Sequence, residues 1–160
     1  MYFEIHKMQP SEYPELEDYL YRAIFVPEGT QPPPRKILQT PELQVYIKNF
    51  GEGRADFAYA ATFEDNNIGA IWSRLMNDYG HIDDETPSIA LSVQESFRRA
   101  GVATALIQTL VAKLKAENFR QVSLAVQKEN FGAVNLYKKM KFKIFSENNS
   151  EYIMKLDWEV

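Results

Sequence analysis

The stretch Arg98 to Ile107, RRAGVATALI, follows closely on the apolar run SIALSV at 88–93 and sets one glycine ahead of an alanine-rich helical pattern. A strand that leads into a helix leaves the first N–H groups of that helix without partners, and they converge at its positive end, where a phosphate is stabilised. Gly101 permits backbone angles and a close approach that a side chain would block, Ala103 is small, and Thr104 offers a hydroxyl. The same glycine could serve turn geometry alone, and Arg98 and Arg99 also read as ordinary solvated charges, so the loop by itself leaves both readings open. Neither GxxxxGK followed by Ser or Thr nor GxGxxG occurs, so the best-known phosphate motifs do not explain the turn. Cysteine is absent, which excludes disulfides, thiolate nucleophiles and cysteine metal sites, and the two histidines, His6 and His81, are too few for a zinc cluster.

The elements that must hold this loop follow from pattern. With 160 residues, 45% hydrophobic and 25% charged, the chain fits a single folded domain over 1–160. A net charge of −4 argues against broad nucleic-acid binding. No apolar run is long enough to span a membrane, and the N-terminus lacks a basic region followed by an apolar one, so a cytoplasmic location is expected. YFEIHKM alternates like a half-buried strand, and Pro10 with Ser11 opens a helical stretch to about Ala23. The proline-rich segment 26–40 reads as an ordered loop or a gate. Thr40 and Pro41 are placed as N-cap and first residue of a short helix ending at Gly51. DFAYAATF and IGAIWSRLM flank EDNN as a hairpin whose loop reads as longer than a two-residue turn, and SIALSV adds a strand. Leu106, Leu110 and Leu114 mark a helix from Val102 to about Glu117. QVSLAVQ is a strand, NFGAVNLYKKM a helix, and FKIFS with EYIMKLDW a closing hairpin. The expected fold is of the α/β (α+β) class, a mixed sheet covered by helices.

Two motifs in the second half resemble one family. RRAGVA is similar to the Q/R-x-x-G-x-G/A loop of the GNAT superfamily of N-acetyltransferases, and NFGAVNLYKKMKF is similar to that family's later N-x-x-A-x-x-L-Y segment. Together they cover roughly Ser88 to Phe142, and AIFVPEG and YGHIDDETPS also resemble segments of a bacterial subgroup of such proteins. The resemblance implies a mostly antiparallel sheet of about seven strands with about four helices. It implies acetyl-coenzyme A as cosubstrate and no metal, with the pyrophosphate on Arg98, Arg99, Ala100, Gly101, Val102, Ala103 and Thr104. The pantetheine arm would pair with Leu91, Ser92 and Val93, and Asn130 would reach the cofactor in a gap between SIALSV and QVSLAVQ. An N-cap role for Asn130 is compatible with that.

An alkyl ammonium with a lysine-like pKa of about 10.4 is almost wholly protonated at neutral pH, so acetyl transfer to an amine needs a proton acceptor or a water route. By resemblance, Tyr137 is the acid that assists the departing thiolate and also borders the cofactor; otherwise it is a core aromatic. Many relatives place a carboxylate on or beside the strand before the phosphate loop, where SIALSV offers only serines and apolar groups. Glu85 and Asp84, with Asp83, gather charge just upstream, and one of them could take the proton directly or through water; His81 is a further candidate, and a solvated acidic loop is the plainer reading. An acidic loop facing the pocket would favour a cationic amine. Trp72 and Arg74 fall on one strand face and read equally as pocket lining or sheet cover. Lys141 stands where the family has glycine, a strained position if the backbone is left-handed there. The resulting expectation is direct attack by an amine in a ternary complex, with a noncatalytic acyl-coenzyme A sensor or protein-interaction module as the alternative. The acceptor is open, as is a homodimer, since an exposed final strand could pair within the domain or with a neighbour.

Overall fold

The computed structural model describes residues 2–158. Strand β1 (Glu4–Lys7) leads through a 3-10 segment at Pro10–Glu15 into helix α1 (Leu16–Ala23). A second 3-10 segment, Arg35–Gln39, precedes helix α2 (Pro41–Gln44). Three strands follow, β2 (Phe57–Phe63), β3 (Asn66–Arg74) and β4 (Ser88–Val93), then helix α3 (Val102–Ala116), β5 (Gln121–Gln127), helix α4 (Phe131–Lys139), β6 (Lys143–Glu147) and β7 (Glu151–Asp157). The strands form one seven-stranded sheet in the order β1-β2-β3-β4-β5-β7-β6, antiparallel throughout except where β4 meets β5.

The alternation of each strand sorts its side chains between two helical layers. On one face, Leu106, Leu110 and Leu114 of α3 pack with Ile71, Ile89, Val122 and Leu124, and Val134 and Tyr137 of α4 join the same cluster. On the other, Leu16, Tyr19 and Leu20 of α1 pack with Leu38, Leu43 and Tyr46 over Ala58, Ala60, Ala70 and Trp72. The run of alanines on this face leaves room for bulky aromatics from the helical layer.

Four local expectations differ from what forms. In an α-helical turn the Pro14 ring would crowd the carbonyl four residues back, and the stretch after Pro10 begins as a 3-10 segment and becomes α-helical only at Leu16. The helix after Thr40 stops at Gln44 and continues as turns, while Gly51 takes a φ of 104°. The Thr40 hydroxyl donates to the Ile37 carbonyl at 2.8 Å instead of capping α2. The β2–β3 turn is a two-residue one: Phe63 pairs with Asn66, and Glu64 and Asp65 have φ of 49° and 66°. Two successive positive φ values match the twist of the flanking strands, which is why so tight a turn forms without glycine.

The loop before β2 is organised by a buried carboxylate that sequence pattern does not single out. Asp56 Oδ2 accepts from the Gly51 and Gly53 N–H groups at 2.9 and 3.0 Å, and the Arg74 guanidinium grips both carboxylate oxygens at 3.2 and 3.0 Å. Arg74 also donates to the Val45 and Lys48 carbonyls, and Trp72 Nε1 donates to the Tyr46 carbonyl at 3.0 Å. Trp72 and Arg74 therefore fasten the segment after α2 to the sheet. With side-chain exposures of 1% and 12%, Asp56 and Arg74 form a desolvated pair. Asp56→Asn leaves the guanidinium buried without its counter-charge, and the expected loss is about 3–5 kcal/mol. A thermal melt should show a drop of roughly 10 °C.

Candidate active site

Strands β4 and β5 share a single register pair, Ser88 with Ser123, supported by a Ser123 N–H bond to the Pro87 carbonyl at 3.0 Å. Beyond Ser88 the two strands part, while β4 stays fully paired to β3 from Ser88↔Arg74 to Val93↔Gly69. Ile89 to Val93 thus present one backbone edge to a wedge-shaped gap. Ser92 is buried, and Leu91 and Val93 are half-buried and pack against the α3 cluster. An extended polar chain inserted there would find sheet-like partners.

The wide end of the gap leads to the start of α3. Gly101 is the N-cap residue, at φ 84°, and no side chain caps the helix; its first backbone bond is Ala105 N–H to the Gly101 carbonyl at 3.0 Å. The N–H groups of the first turn are left facing outward, as an anion site requires. Arg99 also has a positive φ, 63°, and Arg98, Arg99, Ala100 and Gly101 are exposed. Buried Val102 anchors the turn to the core, and a Cβ placed on Gly101 would meet nothing within 4 Å. Packing therefore does not demand this glycine, although the backbone angle favours it. Thr104 begins a groove of about 400 Å³ between α3 and α4, lined also by Gln108, Val111, Leu136 and Lys139.

On the other side of the gap, Asn130 is the N-cap of α4 and its side chain accepts from the Ala133 N–H at 3.4 Å. Its neighbour Phe131 is 72% exposed, an aromatic left in the open at the start of this helix. Tyr137 lies on α4 with 9% exposure and packs on Phe142 at 5.6 Å between ring centres. Burial alone pushes its phenol up to about 12, with no hydrogen bond or charge contributing. Lys141 takes the left-handed angle expected at that helix end, φ 77°, and Phe142 still packs into the core.

The acidic loop is arranged differently from the site residues above. Asp83 Oδ1 accepts from the Thr86 hydroxyl at 2.8 Å and the Glu85 N–H at 2.9 Å, bonds that lower its pKa. The Asp84 carboxylate is fully exposed, 3.6 Å from His81 Nε2, and Glu85 is exposed. His81 Nδ1 faces the Met76 carbonyl at 3.0 Å, so in the neutral ring that nitrogen carries the proton and Nε2 is the acceptor. Asp78 is the carboxylate that pattern reading missed. Its Oδ1 accepts from the Ser88 hydroxyl at 2.6 Å, and its Oδ2 is buried with no partner among the described residues. In sequence it sits in NDYG and looks like a turn former.

Residues 13–142 match the family model described as the acetyltransferase (GNAT) family. The chain belongs to that family. Among curated relatives similar to this chain is an N-alpha-acetyltransferase of Sulfurisphaera tokodaii, 41% identical over an alignment of 106 positions that covers 61% of this chain and 62% of that protein. Another is N-alpha-acetyltransferase daf-31 of Caenorhabditis elegans, 31% identical over 58% of this chain and 55% of that protein. The match thus spans about three fifths or less of these relatives. Among solved structures, an acetyltransferase of GNAT family from Streptococcus pneumoniae superposes with a TM-score of 0.73 at 18% identity, covering 98% of this chain and 99% of that one. The paia N-acetyltransferase of Thermoplasma acidophilum, solved in complex with coenzyme A, superposes with a TM-score of 0.74 at 16% identity, covering 99% of this chain and all of that one. Both show the GNAT fold with its mixed sheet.

Proposed function

We propose that this GNAT domain transfers the acetyl group of acetyl-coenzyme A to a primary amine, with both substrates bound together. The observation that carries the reading is the uncapped start of α3 at the wide end of an unpaired strand gap. The N–H groups from Arg99 to Thr104 bind the pyrophosphate, and Arg98 and Arg99 add positive charge. The edge of Leu91, Ser92 and Val93 holds the pantetheine arm, with Asn130 and Tyr137 across from it. The relatives named N-alpha-acetyltransferase favour a terminal α-amine as acceptor. Chemistry favours the same class: an α-amine of pKa about 7.7–8.0 is roughly one-tenth neutral at pH 7, whereas a lysine-like amine is neutral in fewer than about one molecule in a thousand.

The test is calorimetric titration with acetyl-coenzyme A, followed by thiol release across peptides that bear a free α-amine and matched peptides whose only amine is a lysine. Micromolar binding and turnover of the α-amine peptides are expected. Tight binding without turnover on any peptide would instead support an acyl-coenzyme A sensor. No binding at all would make Gly101 a structural turn.

A further inference from the structure

The segment between β3 and β4 folds back over the closed end of the strand gap. Gly80 lies against β5 so closely that a Cβ there would stand 3.0 Å from the Ala125 nitrogen, and the Gly80 carbonyl accepts from the Ser123 hydroxyl at 2.7 Å. Two residues earlier, the Ser88 hydroxyl holds Asp78 Oδ1. The two serines so engaged are the sole register pair joining β4 to β5. Asp78 is thereby fixed at the apex where the strands part.

The apex lies at a defined reach from the cradle. Five residue steps from Val93 back to Ser88 at about 3.3 Å each make roughly 17 Å of strand. This is comparable with the length of an extended pantetheine arm, so a thioester carried by an arm laid along β4 ends near Asp78. Oδ2, meanwhile, is a buried carboxylate oxygen with no donor in hydrogen-bonding geometry among the described residues, and the Tyr46 phenol stands beside the carboxylate. A buried acceptor left open is uncommon and requires an explanation.

Resting on the acetyl-transfer reading above, we infer that Asp78 is the proton acceptor of the reaction, with Oδ2 receiving a proton from the ammonium of the acceptor. The freed amine attacks the thioester carbonyl, forming the C–N bond. The C–S bond then breaks, the second proton on nitrogen passes to the departing sulfur, and the proton on Asp78 returns to solvent. The products are the amide, coenzyme A thiol and one released proton. The surroundings suit a cation. Tyr46 lies beside Asp78, and its phenol is raised first by burial, then by the Asp78 charge and by a hydrogen bond toward that carboxylate; Glu151 of β7 adds to the rise. Glu42 and Glu151 also act on exposed Tyr79, after burial. His81, bonded to Met76 on the same segment, has the Asp84 carboxylate 3.6 Å from its Nε2.

The inference is tested with Asp78→Asn, using the α-amine peptide that the wild type turns over fastest. The expected result is unchanged acetyl-coenzyme A affinity and a kcat at least about tenfold lower at pH 7, since only roughly a tenth of an α-amine is then neutral. The deficit should shrink as pH rises to 9, where the amine loses its proton unaided. A folded variant with kcat within threefold of wild type, or with a deficit constant over that range, overturns the inference while leaving the acetyl-transfer reading intact. If Asp78→Asn melts too low to assay, Asp78→Ser with added formate decides: rate recovered by formate supports Asp78, and none recovered overturns it. Wild-type inactivity across all peptides, by contrast, removes the acetyl-transfer reading and this inference with it.

Discussion

Gly101→Glu is expected to leave the protein folded and to weaken acetyl-coenzyme A binding at least about a hundredfold, a difference of roughly 2.7 kcal/mol. Folding survives for two reasons. A Cβ at this position meets no atom within 4 Å, and a carboxylate at the start of a helix is favoured by its dipole. The backbone at φ 84° charges about 1 kcal/mol for a non-glycine residue. Binding suffers because the new carboxylate occupies the place of the pyrophosphate and repels it. Gly101→Ala separates turn geometry from ligand approach: it carries the same backbone strain with little bulk and no charge. Calorimetry should show only a modest loss in Gly101→Ala. If both variants bind like the wild type, the turn is not the cradle; if the two lose affinity equally, turn geometry and not anion contact is responsible.

The fold was readable from sequence where long-range packing and local pattern agree. The four-residue leucine spacing of α3 and the alternation of the strands gave seven strands and the helices between them, because each pattern is repeated over several turns or residues. Local detail was less readable where one atom decides it. The ring of Pro14 disfavours an α-helical first turn, which is 3-10 instead, and paired left-handed residues at Glu64 and Asp65 closed a turn that composition did not announce. The proposed cradle is legible as a pattern because its residues lie in one continuous stretch, 98–104. Asp78 is not, because its meaning arises from Ser88, Ser123 and Gly80, which the chain brings together only when β5 is laid beside β4. Asp83, Asp84 and Glu85 stand out by clustering, yet clustering on an exposed turn gives solvation and Asx-type hydrogen bonds, while a single half-buried carboxylate such as Asp78 leaves no periodic signature.

Tyr137→Phe is expected to lower kcat about a hundredfold while leaving acetyl-coenzyme A affinity and stability nearly unchanged. The phenol makes no hydrogen bond that raises or lowers its pKa, so removing its oxygen strands no protein partner. Its role is limited by the chemistry of the leaving group. A thiol titrates near about 8.5, far below a phenol pushed up to about 12, so complete proton transfer from Tyr137 to the thiolate runs uphill. In the proposed mechanism the buried phenol would supply a hydrogen bond to sulfur as negative charge develops there, strengthened by the low local dielectric, with the final proton coming from the attacking nitrogen. The sign of the shift fixes the pH behaviour. A phenol raised from 10 to about 12 is protonated at every working pH, so wild-type kcat should show no fall attributable to Tyr137 below about pH 10. Above that, the unfolded chain ionises before the folded one, and the stability tied to the neutral buried phenol is lost progressively toward pH 12. Single-turnover kinetics with the peptide acceptor separate these effects from binding. A Tyr137→Phe protein with undiminished kcat would reduce the residue to a core aromatic, whereas lost acetyl-coenzyme A affinity at full kcat would make it a cofactor contact alone.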